Sequence, residues 1–112
     1  MRAASGKEKG QTERGGVFLP PPEKLQSVAR LLGIMSNERR LEVLCLLSEN
    51  GEMNVGQLLE CLDLSQSALS QHLSKLREDE FVESRREGLK IYYRVDRDDL
   101  RQILNLLHEL YC

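Results

Sequence analysis

The hydrophobic positions of the chain recur at helical spacing from residue 23 onward. Apolar residues at i, i+3, i+4 and i+7 form one stripe and predict a first helix over 23–34. Ser36 or Asn37 can then cap a second helix, which is apolar almost all round after Leu41. A helix with that pattern is predicted to be central and buried. The stripe of the first helix consists of Leu25, Val28, Ala29 and Leu32.

Two shorter helices follow, separated by a tight break. Asn54 can cap one over 55–62, and Ser65 can cap the other over 65–76. In a helix-turn-helix, the first helix braces the second so that the second can lie in the major groove of DNA. The two predicted helices have that layout.

A β-hairpin and a final helix complete the pattern. Segments rich in Val, Ile and Tyr predict strands over 82–86 and 90–95, and Gly88 can supply a positive φ in the turn between them. Apolar spacing predicts a last helix over 97–111. The fold class is therefore mainly α with a small β-hairpin: a winged helix-turn-helix, whose first and last helices we expect to pair across a homodimer.

Candidate DNA contacts cluster on the second helix of the helix-turn-helix and on the hairpin. Gln can pair with adenine, and Ser can bond to either base type. Basic residues near the hairpin tip are expected to contact phosphate. The alternative is that the Ser/Gln face is an ordinary solvated helix surface. The candidates are Ser65, Gln66, Ser67, Ser70, Gln71, His72, Lys75, Arg85, Arg86 and Lys90.

Composition bounds the remaining possibilities. The chain has 112 residues, 40% of them hydrophobic, which suits one small domain over 23–112. Residues 1–22 are rich in Gly, Ser and charge and end in three prolines, so we expect a disordered tail with a Pro-rich stub. No apolar run approaches the length of a membrane span. An odd count of three cysteines argues against a disulfide framework and favours a cytoplasmic location.

Charge and motifs argue against enzymes and general nucleic-acid binders. The formal net charge is −2, so any DNA contact must come from a local patch. Only 4% of residues are aromatic, which disfavours stacking on single strands. We see no Gly-rich phosphate loop or catalytic constellation, and we expect neither enzymatic activity nor a cofactor.

Several stretches resemble one regulator family. The pattern Ser-Gln-Ser-x-Leu-Ser-Gln-His-Leu is its most specific part, and with the other stretches it looks like an ArsR/SmtB-type bacterial repressor. The resemblance covers about residues 25–112. It implies a homodimer that binds double-stranded operator DNA and releases it when an inducer, usually a metal ion, alters the dimer. The stretches are 37–41, 55–58, 64–73, 76–77 and 92–94.

The metal sites common in that family look absent. Where one site needs a Cys-x-Cys pair, this chain has Asn54 and Gly56, and the last helix has a single histidine, His108. A zinc site built from Cys45, His108 and Cys112 stays open, because thiolate and imidazole are zinc ligands.

The cysteines resemble a different sensing device. Cys45 on the second helix and Cys112 at the end of the last helix resemble the paired thiols of the BigR/SqrR/HlyU-like subgroup, which senses persulfides or oxidants. The alternative for Cys45 is a small core hydrophobe. If the resemblance holds, a reactive sulfur species or oxidant bridges the two thiols and lowers operator affinity, and Cys61 is incidental.

We therefore expect a dimeric transcriptional regulator, most simply a repressor, with a thiol switch. A metal-responsive repressor of the same family is the first alternative. A winged-helix module that binds protein is the second.

Overall fold

The computed structural model describes residues 12–14 and 17–112, with side chains from Leu19 onward. It divides after Gly33 into two compact units. In the first, strands β1 (Thr12–Arg14) and β2 (Val17–Leu19) pair antiparallel, and helix α1 (Pro22–Met35) begins one residue earlier than predicted. Residues 1–11 and 15–16, on which most of the predicted tail falls, lie outside the described residues, and disorder there stays a prediction.

The second unit, from residue 34, has the predicted order of elements. Its helices are α2 (Glu38–Asn50), α3 (Val55–Cys61), α4 (Gln66–Glu78) and α5 (Asp98–Tyr111). Strands β3 (Met53–Asn54), β4 (Val82–Glu87) and β5 (Lys90–Val95) form an antiparallel sheet in the order β3-β5-β4. With α1, this is the winged helix-turn-helix architecture, and the predicted fold class is confirmed.

Local capping explains where three helices begin. The side chains of Asn37, Asn54 and Ser65 accept hydrogen bonds from backbone N–H groups three residues on, at 3.0, 2.9 and 3.1 Å. The Gln57 Oε1 in turn accepts a hydrogen bond from the Asn54 backbone N–H at 2.9 Å, which completes a capping box. Gly51 ends α2 with a φ of 83°, a value that glycine adopts without strain.

The core lies around α2, which contacts α4, α5 and β5. One sequence prediction about this helix is wrong: it is not buried all round. Its side chains at Leu41 and Leu46 are half-buried and Cys45 is exposed, because neighbours cover one face only. The fully buried side chains are Val43, Leu44, Leu47, Leu58, Leu69, Leu73, Leu76, Phe81, Val82 and Leu100.

A short strand that the sequence analysis did not predict joins the helix-turn-helix to the wing. Asn54 pairs with Tyr92 of β5 and is also the cap of α3. Strand β3 therefore connects the hairpin directly to α3, the first helix of the helix-turn-helix. None of the helices described is long and apolar enough to cross a membrane.

Candidate functional site

Helix α4 presents one buried face and one polar face. Leu69, Leu73 and Leu76 anchor it in the core, with at most 2% of their surface exposed. Four of the predicted base-contacting residues lie exposed near its N-terminal end, where recognition helices meet DNA. They are Gln66, Ser67, Ser70 and Gln71.

Ser65 has a structural task at the start of this helix. Its Oγ accepts the hydrogen bond from the Ala68 backbone, and it lies 3.5 Å from the Ser67 Oγ. Ser65 is therefore the N-cap that fixes the start of α4. Free backbone N–H groups at a helix N-terminus attract phosphate.

His72 and Lys75 differ from the exposed serines and glutamines of α4. Burial lowers the pKa of His72, and the nearby charges of Arg40 and Arg39 lower it further. These effects favour the neutral form of the imidazole, which is half-buried. Lys75 is exposed and its Nζ lies 3.4 Å from the Asp79 carboxylate.

Two basic side chains at the tip of the wing have no partner in the part of the chain that the structure describes. Gly88 at the turn has a φ of 65°, and Leu89 beside it is 99% exposed. Arg86 and Lys90 flank this tip and are exposed, and their side chains make no hydrogen bond or ion pair with any residue that the structure describes. Both are free to meet phosphate.

Arg85, the third predicted wing contact, is already bound within the protein. It donates two hydrogen bonds to Glu52 and one to Glu87, and its guanidinium lies 4.6 Å from the centre of the Tyr92 ring. These bonds raise the pKa of Arg85 and lower that of Glu52. Sequence patterns gave no sign of Glu52, which lies outside the hairpin.

Cys45 and Cys112 line the same cleft. This cleft lies between α2 and α5, has a volume of about 890 Å³, and is lined by leucines of both helices together with polar side chains. Burial raises the pKa of the Cys45 thiol, and the neighbouring Cys112 and Glu49 raise it further. Cys45 is thus no core hydrophobe, while Cys61 is exposed at the end of α3, outside this cleft.

A histidine and a carboxylate sit at the same cleft. The His108 Nδ1 lies 3.4 Å from the Glu49 Oε1, and both side chains are exposed. Their spacing was available in the sequence, since Glu49 follows Cys45 by four residues and His108 precedes Cys112 by four. Among the described residues, no three His, Cys, Asp or Glu side chains are grouped closely enough to hold a metal ion.

Comparison with known proteins identifies the family. Residues 37–84 match the model of bacterial regulatory proteins of the arsR family. The chain is 49% identical over 82 residues to the transcriptional activator HlyU of Vibrio cholerae, covering 73% of this chain and 75% of that protein. The chain belongs to the arsR family.

Solved arsR-family structures share the fold. Reduced HlyU from Vibrio cholerae is 47% identical with a TM-score of 0.74, over 80% of this chain and 95% of that one. The transcriptional repressor BigR from Xylella fastidiosa is 38% identical with a TM-score of 0.74, over 80% and 91%. The arsR-family chain is a DNA-binding transcriptional regulator, not an enzyme, and regulators of this family typically act as dimers.

Proposed function

We propose that this regulator binds operator DNA as a homodimer in the cytoplasm and releases it when a persulfide or oxidant bridges Cys45 to Cys112. The observation that carries this proposal is the cleft between α2 and α5, which both thiols line. Two relatives support it in different ways: HlyU has been solved in a form described as reduced, and BigR is described as a repressor.

Base reading is assigned to α4 and phosphate binding to the wing. Gln66, Ser67, Ser70 and Gln71 are exposed on the face opposite the buried leucines, so they can reach base edges. Arg86 and Lys90 would hold phosphates beside the groove. Arg85 could join them only by giving up Glu52.

The dimer is assigned to the exposed apolar faces of α1 and α5. Each helix leaves large apolar side chains in contact with water, which an isologous interface would bury in both copies at once. Each Å² of apolar surface removed from water contributes about 25 cal/mol of free energy, which favours such pairing. The side chains are Leu25, Val28 and Leu32 on α1, and Leu106, Leu110 and Tyr111 on α5.

The chemistry of the switch needs a sulfur donor, for which we name an organic hydropersulfide, RSSH. A cysteine thiolate attacks the terminal sulfur of RSSH, the S–S bond of the donor breaks, and RSH leaves. The protein persulfide is then attacked at its inner sulfur by the second thiolate, which expels hydrogen sulfide. Two thiols and RSSH thus give a disulfide, RSH and H₂S. If a second RSSH first transfers its terminal sulfur to the protein persulfide, its S–S bond breaks and a second RSH leaves, and attack by the other thiolate then closes a bridge of three sulfurs and expels H₂S.

Helix contacts provide a route from the bridge to the DNA surface. Cys45 is on α2, which contacts both α5 and the reading helix α4. A bridge from α2 to the residue after α5 restrains these helices together, and a shift of α4 in each protomer changes the distance between the two reading helices. Operator half-sites lie about 34–36 Å apart, so this distance matters for affinity.

The other functions have less support. A metal inducer would need several protein ligands close together. The described residues contain no group of three or more His, Cys, Asp or Glu side chains that could hold a metal ion. A protein-binding role does not account for the exposed Ser/Gln face, and the relatives are transcriptional regulators.

Intact-protein mass spectrometry tests the switch. After treatment with glutathione hydropersulfide, the parent should lose two hydrogens, with or without added sulfur, and peptide mapping should join Cys45 to Cys112. The Cys61→Ser variant should react in the same way. A parent that gains only unbridged persulfides would contradict the proposal.

A further inference from the structure

Four side chains with complementary chemistry face one another in the cleft between α2 and α5. On α2, Cys45 and Glu49 are one helical turn apart, and on the α5 side His108 and Cys112 have the same spacing. Glu49 contacts His108, and Cys112 acts electrostatically on Cys45. Each helix therefore contributes one thiol and one member of an acid–base pair.

We propose that His108, oriented by Glu49, is the proton acceptor that activates the Cys112 thiol toward persulfide. This inference rests on the proposed function, because it assigns a role within the same thiol site. It names Cys112 as the first nucleophile and Cys45 as the thiol that closes the bridge.

The order of the two thiols follows from their surroundings. The thiolate is the nucleophilic form of cysteine. Burial and two acidic neighbours raise the pKa of Cys45, so few Cys45 side chains carry the thiolate at neutral pH. Both thiols are exposed, and Cys112 follows His108 by four residues, the spacing of one helical turn. A reagent entering from solvent can reach either thiol, and Cys112 is the one that shares its side of the cleft with an imidazole.

The orientation of His108 suits this role. Because Nδ1 faces the Glu49 carboxylate at 3.4 Å, Nε2 is left to accept a proton. The carboxylate stabilises the imidazolium that results, as the third member of a catalytic triad does. The cleft is also lined by Cys45 and Tyr111, and a thiol and a phenol are ordinarily proton donors, so the imidazole is the natural proton acceptor among these groups.

The proton balance closes within the site. His108 takes the Cys112 proton, and the thiolate attacks the terminal sulfur of RSSH to form Cys112–S–SH. The leaving RS⁻ takes the proton from the imidazolium and departs as RSH, so His108 is restored. Cys45 then attacks the inner sulfur, and its proton leaves with the expelled sulfide as H₂S.

The test compares His108→Gln and Glu49→Gln with the parent, with Glu109→Gln as the matched control. Glu109 is an exposed neighbour of His108 that does not line the cleft. Two rates are followed by peptide mass spectrometry: alkylation of Cys112 by iodoacetamide and bridging by glutathione hydropersulfide. Both rates are measured from about pH 5 to about pH 9, which spans the ordinary range of imidazole and reaches that of a thiol.

We expect His108→Gln to slow both reactions at neutral pH by about tenfold or more, which is less than the roughly hundredfold or more that general bases typically contribute, because a thiol also ionises unaided. Its rates should approach the parent's as rising pH ionises the thiol unaided. Glu49→Gln should shift both rates in the same direction by a smaller factor, and Glu109→Gln should match the parent. A purely structural role would not change the shape of the pH profile.

The outcomes separate this inference from the proposed function. If His108→Gln keeps the parent's rates and pH profile, the base assignment is overturned while the thiol switch stands. If the parent never bridges but His108→Gln still slows alkylation, the base assignment stands and the switch fails. Operator binding and thermal melting of the reduced variants verify folding. Should His108→Gln unfold, the profile of Glu49→Gln decides.

Discussion

Arg85 and Glu52 form a bidentate ion pair, with Nε at 2.7 Å from Oε2 and Nη2 at 2.9 Å from Oε1. The pair ties the middle of β4 to the residue before β3, which lies 33 positions earlier in the chain. The Arg85 guanidinium also lies over the ring of Tyr92, which belongs to β5. One arginine of the wing thus has a structural role, and Arg86 and Lys90 at the tip remain the proposed phosphate contacts.

Replacing Arg86 with Ala should weaken operator and non-specific DNA binding alike. Each phosphate contact contributes about 0.9 to the slope of log K against log salt, and we expect the slope to fall by about that amount. Fluorescence anisotropy over a salt series measures it. The matched control is Arg85→Ala, whose slope should change less because Arg85 is held by Glu52. A larger change for Arg85 than for Arg86 would reverse the assignment.

Replacing Gln71 with Ala should remove one base contact. The expected cost is about 1–3 kcal/mol of operator affinity, with relaxed preference at one base pair of each half-site. Competition binding against operators changed at single positions measures this. Gln102→Ala, an exposed glutamine on α5, should bind like the parent. If the Gln71 variant bound every tested operator as tightly as the parent does, Gln71 would not be a base contact.

Charge placed on the exposed apolar faces of α1 or α5 should disrupt the dimer. We expect Val28→Glu and Leu110→Glu to sediment as folded monomers at micromolar concentration, because burying an unpaired carboxylate in the interface is unfavourable. Both side chains are exposed in the single chain, so the fold itself should survive. Leu89→Glu, at the hairpin tip, should remain dimeric. Two variants that sediment like the parent would place the interface elsewhere.

The raised pKa of Cys45 has consequences for its rate of alkylation and for the pH dependence of protein stability. In the folded protein, alkylation of Cys45 should reach half its maximal rate at higher pH than in guanidinium, and Cys112→Ser should reduce the difference because one cause is removed. Since the folded state holds this proton more tightly, the contribution of Cys45 to stability is lost as pH rises through its unfolded and then its folded pKa. Coincident alkylation profiles for folded and unfolded protein would contradict this.

Local rules predicted most of the fold. Asn54 and Ser65 cap their helices as expected, Asn37 is the one of the two candidate caps that begins α2, and Gly88 adopts a positive φ in the predicted turn. These features depend on interactions within a few residues, and such interactions can be read from a single sequence.

Features that depend on distant residues were missed. The strand β3 exists because Met53 and Asn54 pair with β5, and Arg85 is occupied because the fold brings Glu52 to it. The exposed face of α2, expected to be buried, results from the arrangement of its neighbours. The place of Cys45 and Cys112 was suggested by family resemblance, while the pairing of Glu49 with His108 needed the structure.

The most direct measurement of the central claim is operator affinity before and after glutathione hydropersulfide, for the parent and for single Cys→Ser variants at Cys45, Cys61 and Cys112. We predict that the treated parent and the Cys61 variant lose about tenfold or more in affinity, the size of ordinary allosteric coupling. The Cys45 and Cys112 variants should keep the affinity of the reduced parent. Release of DNA by both of these single variants under the same treatment would contradict the thiol switch.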